Sequence, residues 1–185
     1  MPQILAYIIL LTYAIFQELF LRDKSARSFR RTSKLDLTTV WYVAAIVISL
    51  IAAPILNSLH ILSVPTIVAY LGLVIMILGI VLRAAAMVKL GQSYTRALTV
   101  TKNQVLVTTG LYKYIRHPGY SGTLFAGIGF AIAQGNLLIV MFVIILMSSV
   151  YIIRIRQEEE ILSRAFGKQY DAYAKHTKRI VPFVL

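Results

Sequence analysis

The sequence predicts an all-α, polytopic membrane protein: about five transmembrane helices, a C-terminal helical hairpin and a cytoplasmic amphipathic helix. Three observations predict it. Of 185 residues, 58% are hydrophobic and only 14% charged, with a mean hydropathy of +0.76, whereas a soluble domain carries about a quarter charged residues. Several uncharged runs approach the ~20 residues that cross a bilayer. The net charge of +12 gathers between and beyond those runs, as in cytoplasmic loops that hold a topology. Basic residues placed beside apolar runs argue against nucleic acid as a partner and for the lipid bilayer. The chain has no cysteine, which excludes disulfides, thiolate metal sites and a cysteine nucleophile. His60, His117 and His176 lie far apart and lack metal-ligand spacing, so no metal site is expected.

The first apolar run covers about Ile4 to Leu21, and its single charge, Glu18, stands one turn before Arg22. No basic stretch precedes it, which favours a retained helix over a signal peptide. "RDKSARSFRRTSK", 22–34, reads as the first cytoplasmic loop. A second run, about Leu37 to Leu56, carries Ala45, Ser49 and Ala53 at four-residue spacing, which suits close helix packing. "NSLHILSVP", 57–65, lacks Lys and Arg and should lie outside. A third run covers about Pro65 to Leu90 and is interrupted by Arg83, which either snorkels to the interface or faces a site. Residues 91–116 are too polar to span and should be cytoplasmic. Two apolar arms, Gly119–Ala133 and Leu137–Ile153, flank "QGN" and read as a tight hairpin. The first arm is short for a span, so it either tilts or starts earlier, near Tyr112. In the polar remainder, Leu162, Phe166, Tyr170 and Tyr173 fall at the spacing of one amphipathic helix. The expected layout is a single domain over 1–185, with three helices in 1–90 and the chemistry in 91–185, the N-terminus outside and the C-terminus cytoplasmic.

Two polar clusters then fall on one membrane face. "RHPGY", 116–120, opens the hairpin and "RIRQEEE", 154–160, closes it. The two ends of a hairpin are close in space, so Arg116, His117 and Tyr120 should meet Arg154 and Glu158, and polar groups at a membrane mouth tend to mark a site. Pro118 suits the first turn of a helix. Gly119 and Gly122 permit close backbone approach. Arg154 and Glu158 share a helix face, as do Arg156 and Glu160. The plain reading is an ordinary pair of ion pairs one turn apart, worth a few tenths of a kcal/mol. The functional reading is an arginine clamp for a carboxylate, with a glutamate for a cationic or hydroxyl-bearing cofactor.

"GQSYTRALTVTKNQVLVTTGLYKYIRHPGYSG", followed by "RIRQEEEILSRAFGKQYDAYAKHTKRIVP", resembles the isoprenylcysteine carboxyl methyltransferase family. The resemblance covers roughly the C-terminal half and rests on two motifs in order at the expected separation. It implies a membrane methyltransferase that binds S-adenosyl-L-methionine without a Rossmann domain, and no G-x-G-x-x-G follows a strand here. It implies cofactor contacts at Gln104, Val105, Leu106, Val107, Tyr112, His117, Pro118, Gly119, Tyr120 and Glu158, and a substrate-side, catalytic Arg154. The contact upstream of the motif, in the loop between Tyr94 and Gln104, is left open.

A carboxylate acceptor is already ionised at neutral pH, so such a site needs alignment and exclusion of water rather than a base. The expected acceptor is lipophilic and carries a carboxylate. A second reading keeps the chemistry and takes a phospholipid amine or lipophilic hydroxyl, with His117 or a glutamate as base. A third is an NADPH-dependent membrane reductase, with Arg96 and Lys102 on a 2′-phosphate. A fourth is a non-enzymatic membrane scaffold. Oligomeric state is not readable from the sequence.

Overall fold

The computed structural model describes residues 1–25, 44, 47–48, 51–52, 54–59, 62–93, 100 and 104–180. α1 spans Pro2–Ser25, α2 Thr66–Leu90, α3 Pro118–Ala133, α4 Leu137–Phe166 and α5 Lys168–His176. Single 3-10 turns lie at Gly91–Ser93 and Gly110–Lys113. Among the described residues β pairing amounts to two isolated bridges, Ser63 with Asn136 and Ile115 with Lys178.

The described parts of the apolar runs are helical, and α2 shows the solvent they are built for. Ile67, Leu71, Val74, Leu78 and Val81 recur at helical spacing, each between 53% and 68% exposed. A row of bare aliphatic side chains is unfavourable against water and natural against acyl chains. The opposite face buries Ala69, Gly72, Leu73, Met76, Gly79, Ala86 and Met87. α2 and α4 are long and apolar enough to cross a membrane. α3 has 16 residues and starts at Pro118, not near Tyr112. The described residues therefore carry two clear spans where five were expected. Within the second run, residues 44, 47–48, 51–52 and 54–56 are helical. Ala45, Ser49, Ala53, His60 and the loop residues 26–34 lie outside the described residues, while 22–25 continue α1.

Glycine sets the closest helix contact. α2 and α3 run antiparallel, with Gly72 against Gly129 and Gly79 against Gly122. A Cβ on Gly79 would stand 2.3 Å from the backbone N of Ala126, and one on Gly129 2.3 Å from that of Met76. The seven-residue interval, two helical turns, repeats on both helices, so backbones touch along one seam. On its other side α3 meets α4, whose Ile139, Val143, Met147, Tyr151 and Ile155 form a buried row.

The hairpin reverses at Gln134–Asn136, as expected. Gly135 takes a positive φ of 78°, and Asn136 Oδ1 caps α4 by accepting from the Leu138 N–H at 3.0 Å. α4 then runs without a break through the second polar cluster. Its 30 residues measure about 45 Å, so about a third of its length exceeds a ~30 Å hydrocarbon core. The apolar stretch ends at Ile153, and the polar turns from Arg154 onward stand beyond it.

The single amphipathic helix expected over 158–176 is two helices. Gly167, at φ 52°, breaks the chain between α4 and α5. Ser163 Oγ donates to Asp171 Oδ1 at 2.9 Å across that corner. Leu162 and Phe166 therefore belong to α4, while Tyr170 is buried on α5.

Candidate active site

The site is built at the mouth of the hairpin, where α3 begins and α4 turns polar. Pro118 occupies the first turn of α3, where its missing N–H costs nothing. His117 precedes it and gives no side-chain cap. Tyr120, one turn in, reaches across to α4. Its hydroxyl accepts from Arg154 Nε at 2.8 Å and donates to Glu158 Oε2 at 2.6 Å. One phenol thus joins a guanidinium and a carboxylate set one turn apart on α4. Tyr120 also packs on Tyr151, with ring centroids 5.2 Å apart, and stacks on His117 at 5.6 Å.

His117 is only 5% exposed and lies between two acids. Nδ1 is 4.0 Å from Glu158 Oε2 and Nε2 is 3.5 Å from Glu159 Oε1. The second approach is a close contact rather than a hydrogen bond, and Nε2 is a buried polar atom without one. Glu159 is the better-anchored carboxylate. It accepts from Arg116 Nε at 2.8 Å and from Arg179 Nε at 2.9 Å. Glu159 stands in the polar turns beyond Ile153. Burial opposes its charge, but His117 and Arg116 more than offset that and hold the carboxyl down at about 2.

The direct contacts unite His117, Tyr120, Arg154 and Glu158, four of the expected site residues. Tyr112 is buried at the same end, its hydroxyl 3.4 Å from the Ala86 carbonyl and its own carbonyl accepting from Tyr173 Oη at 2.7 Å. Burial pushes the Tyr173 phenol up to about 12. Gln104 and Val105 are placed beside the end of α2 instead. Gln104 Nε2 donates to the Ser93 carbonyl and Ser93 Oγ to the Val105 carbonyl, both at 3.4 Å. Leu106 and Val107 follow, half-buried, while the Val105 side chain is 70% exposed.

Gly119 differs from the reading of close approach within the fold: a Cβ there would meet nothing within 4 Å. Gly122 does match it, against Arg83 and Gly79. Arg83, left between two roles by the sequence, turns to the site: its Nη1 donates to Thr123 Oγ1 at 2.6 Å and to the Gly119 carbonyl at 3.3 Å. Glu160 pairs with Arg164, not Arg156. Arg96 and Lys102 lie outside the described residues. Sequence reasoning passed over Glu159, Arg179 and Tyr151. Adjacent helix residues point about 100° apart, so the second glutamate of "EE" had to face something else, and the basic run 175–179 was the available partner.

Comparison with known proteins places the chain in a family. The family model for the isoprenylcysteine carboxyl methyltransferase family matches residues 70–164, from α2 to the end of the site on α4. The chain belongs to that family, whose members carry a methyl donor's chemistry. Protein-S-isoprenylcysteine O-methyltransferase B of Arabidopsis thaliana is 35% identical over 115 residues, 61% of this chain and 58% of that one. The Schizosaccharomyces pombe protein-S-isoprenylcysteine O-methyltransferase is 33% identical over 109 residues, 58% of this chain and 46% of that one. The chain spans about three fifths of the length of the plant relatives it matches. A solved structure of the eukaryotic intramembrane Ras methyltransferase, isoprenylcysteine carboxyl methyltransferase, superposes with a TM-score of 0.69. It is 24% identical and covers 100% of this chain and 68% of that one. That likeness establishes a shared, membrane-type helical fold.

Proposed function

We propose that this protein is a membrane methyltransferase that uses S-adenosyl-L-methionine to methylate the carboxylate of a lipophilic acceptor, of the prenylcysteine kind. The observation that carries the reading is the Arg154–Tyr120–Glu158 relay. It holds a cation for an acceptor carboxylate and an anion for a cationic cofactor on one helix face, with an aromatic hydroxyl between them. The residues fit the cofactor. Glu158 supplies a carboxylate, the open backbone at Gly119 admits a close neighbour, and buried His117 Nε2 lacks a hydrogen bond. Gln104, Val105, Leu106 and Val107, outside regular secondary structure, offer main-chain donors and acceptors, and Tyr112, Pro118 and Tyr120 add apolar walls.

When bound, the cofactor supplies a methyl group on an already activated sulfonium. Arg154 fixes the acceptor carboxylate. Tyr120 fixes the arginine by accepting from it, and Glu158 by accepting from Tyr120. An ordinary carboxylate is ionised at neutral pH, so no residue need remove a proton. The amine, hydroxyl and reductase readings draw no support from the family match. The exposed aliphatic row on α2 supports lipid contact, and the density of Lys and Arg at the site's end supports a cytoplasmic site face with the N-terminus outside. The match over 70–164 supports one membrane domain with its chemistry in 91–185.

Calorimetry on the detergent-purified protein tests the reading, with S-adenosyl-L-methionine or its demethylated product and NADPH as the competing ligand. The methionine derivatives should bind at micromolar concentration, and Glu158→Ala should weaken them by about tenfold or more, the scale of one lost charged hydrogen bond. No binding, or preference for NADPH, overturns it.

A further inference from the structure

The C-terminal segment after α5 does not leave the bundle. Residues 177–180 run beside 114–117, in parallel register at the Ile115–Lys178 bridge. The Arg116 N–H donates to the Lys178 carbonyl at 2.7 Å, and the His117 N–H to the Arg179 carbonyl at 3.0 Å. The Lys178 N–H returns to the Tyr114 carbonyl at 3.2 Å. Ser121 Oγ, on the first turn of α3, donates to the Ile180 carbonyl. The strap thus crosses the entry to α3 and holds the backbone that carries His117.

Glu159 closes this arrangement. Its two oxygens take one arginine from each side, Arg116 from the segment beneath the strap and Arg179 from the strap itself. Arg116 Nη1 also donates to the Ala174 and Thr177 carbonyls, which ties the end of α5 to the same point. The Arg116 and Glu159 side chains are 10% and 14% exposed, so that pair is shielded as surface pairs are not, while Arg179 closes the latch from the half-exposed side. His117 gives no cap to α3. Its imidazole is set by the strap through the backbone and by the side chains around it: Glu159 3.5 Å from Nε2, Glu158 4.0 Å from Nδ1 and the Tyr120 ring stacked on it at 5.6 Å.

We propose that Glu159 is a positioning residue: with Arg116 and Arg179 it latches the strap 177–180 over the start of α3 and thereby sets the His117 imidazole. Glu158 faces Tyr120 and the reacting side, while Glu159 faces the strap. The two neighbouring carboxylates divide the work. The proposal rests on the methyltransferase reading only for what the held imidazole would touch.

Its test needs no cofactor, so its failure is separate from an absence of cofactor binding. In the full-length protein in detergent, two rates are followed by mass spectrometry: tryptic cleavage after Lys178 and diethylpyrocarbonate modification of His117. Glu159→Gln should raise both by about tenfold, because local opening follows the loss of charged hydrogen bonds. Arg179→Gln should raise both by about threefold, and Arg179→Lys should restore them to within about twofold of wild type. Glu160→Gln, on the exposed Arg164 pair, should change neither. A general loosening would instead speed cleavage after Arg164 and Lys168 in step with Lys178, and that result overturns the proposal. So does a rate within twofold of wild type for both Glu159→Gln and Arg179→Gln. Should Glu159→Gln not fold, the exposed Arg179 variants decide alone.

Discussion

The two ends of the α3–α4 hairpin solve the same problem with different chemistry. At the turn, Gln134 and Asn136 are 1% and 0% exposed and neutral. The Gln134 carbonyl accepts from Asn57 Nδ2 at 2.5 Å and from Gln3 Nε2 at 3.5 Å, while Asn136 Nδ2 donates to the Leu56 carbonyl at 3.4 Å. Amides there knit the N-terminal segments to the turn, and among the described residues no charged side chain takes part in these contacts. At the mouth, Arg116, Arg154, Glu158, Glu159 and Arg179 converge with His117. Burying charge costs more than burying amides unless the charges are paired. Since the turn shows that a hairpin end can be fixed by amides, the ionised end calls for a reason other than folding, and a site for charged reactants supplies it.

The largest effect should therefore come from breaking the mouth without touching the fold. Arg154→Ala is expected to lower methyl transfer to a prenylcysteine analogue by about 10³-fold, the scale of a lost charge-stabilising donor. Affinity for the demethylated cofactor, assigned to Glu158 in the proposed function, should stay within a few fold. If turnover survives, or if cofactor affinity falls as far as turnover does, Arg154 does not hold the acceptor.

Next in size is the seam between the two ends. Gly129→Ala puts a methyl 2.3 Å from the Met76 backbone N, and the backbone cannot rotate aside as a side chain can. About 2 kcal/mol of destabilisation is expected, seen as a lower thermal midpoint in detergent. Gly119→Ala, which meets nothing within 4 Å, should melt no lower than wild type. Equal melting of the two variants would mean that the glycine seam does not hold α2 to α3.

Much of this was legible in the sequence because apolar runs and turn residues are local signals. α2, the hairpin and its QGN turn follow from them, and the meeting of Tyr120 with Arg154 and Glu158 follows from hairpin geometry. Other features depend on partners distant in sequence. The seven-residue spacing of Gly72 and Gly79 gains meaning only beside that of Gly122 and Gly129, and Arg83 only once α3 lies against it. The aromatic spacing over 162–173 looked like one helix because periodicity is blind to a single glycine, and Gly167 turned the chain. The role of the second glutamate stayed hidden because Arg179 is 20 residues away and lies beyond the predicted amphipathic helix.

The smallest effect sharpens the contrast at the neutral end. Asn136→Ala removes the α4 cap and should cost about 1 kcal/mol. Asn136→Asp keeps a cap acceptor that is as good as Asn on exposed helices, so on local grounds it should be silent. It also places a carboxylate where exposure is 0% and deletes the donor to Leu56. Burial raises the pKa of such a group above its unfolded value. The folded state then binds more protons than the unfolded one, and stability rises as pH falls. At pH 7 Asn136→Asp should melt at or below Asn136→Ala, and it should recover towards wild type near pH 4, while the alanine variant tracks wild type. An aspartate that melts like wild type at pH 7 would show that this end tolerates charge as well as the mouth does, and the argument from amides to function would fail with it.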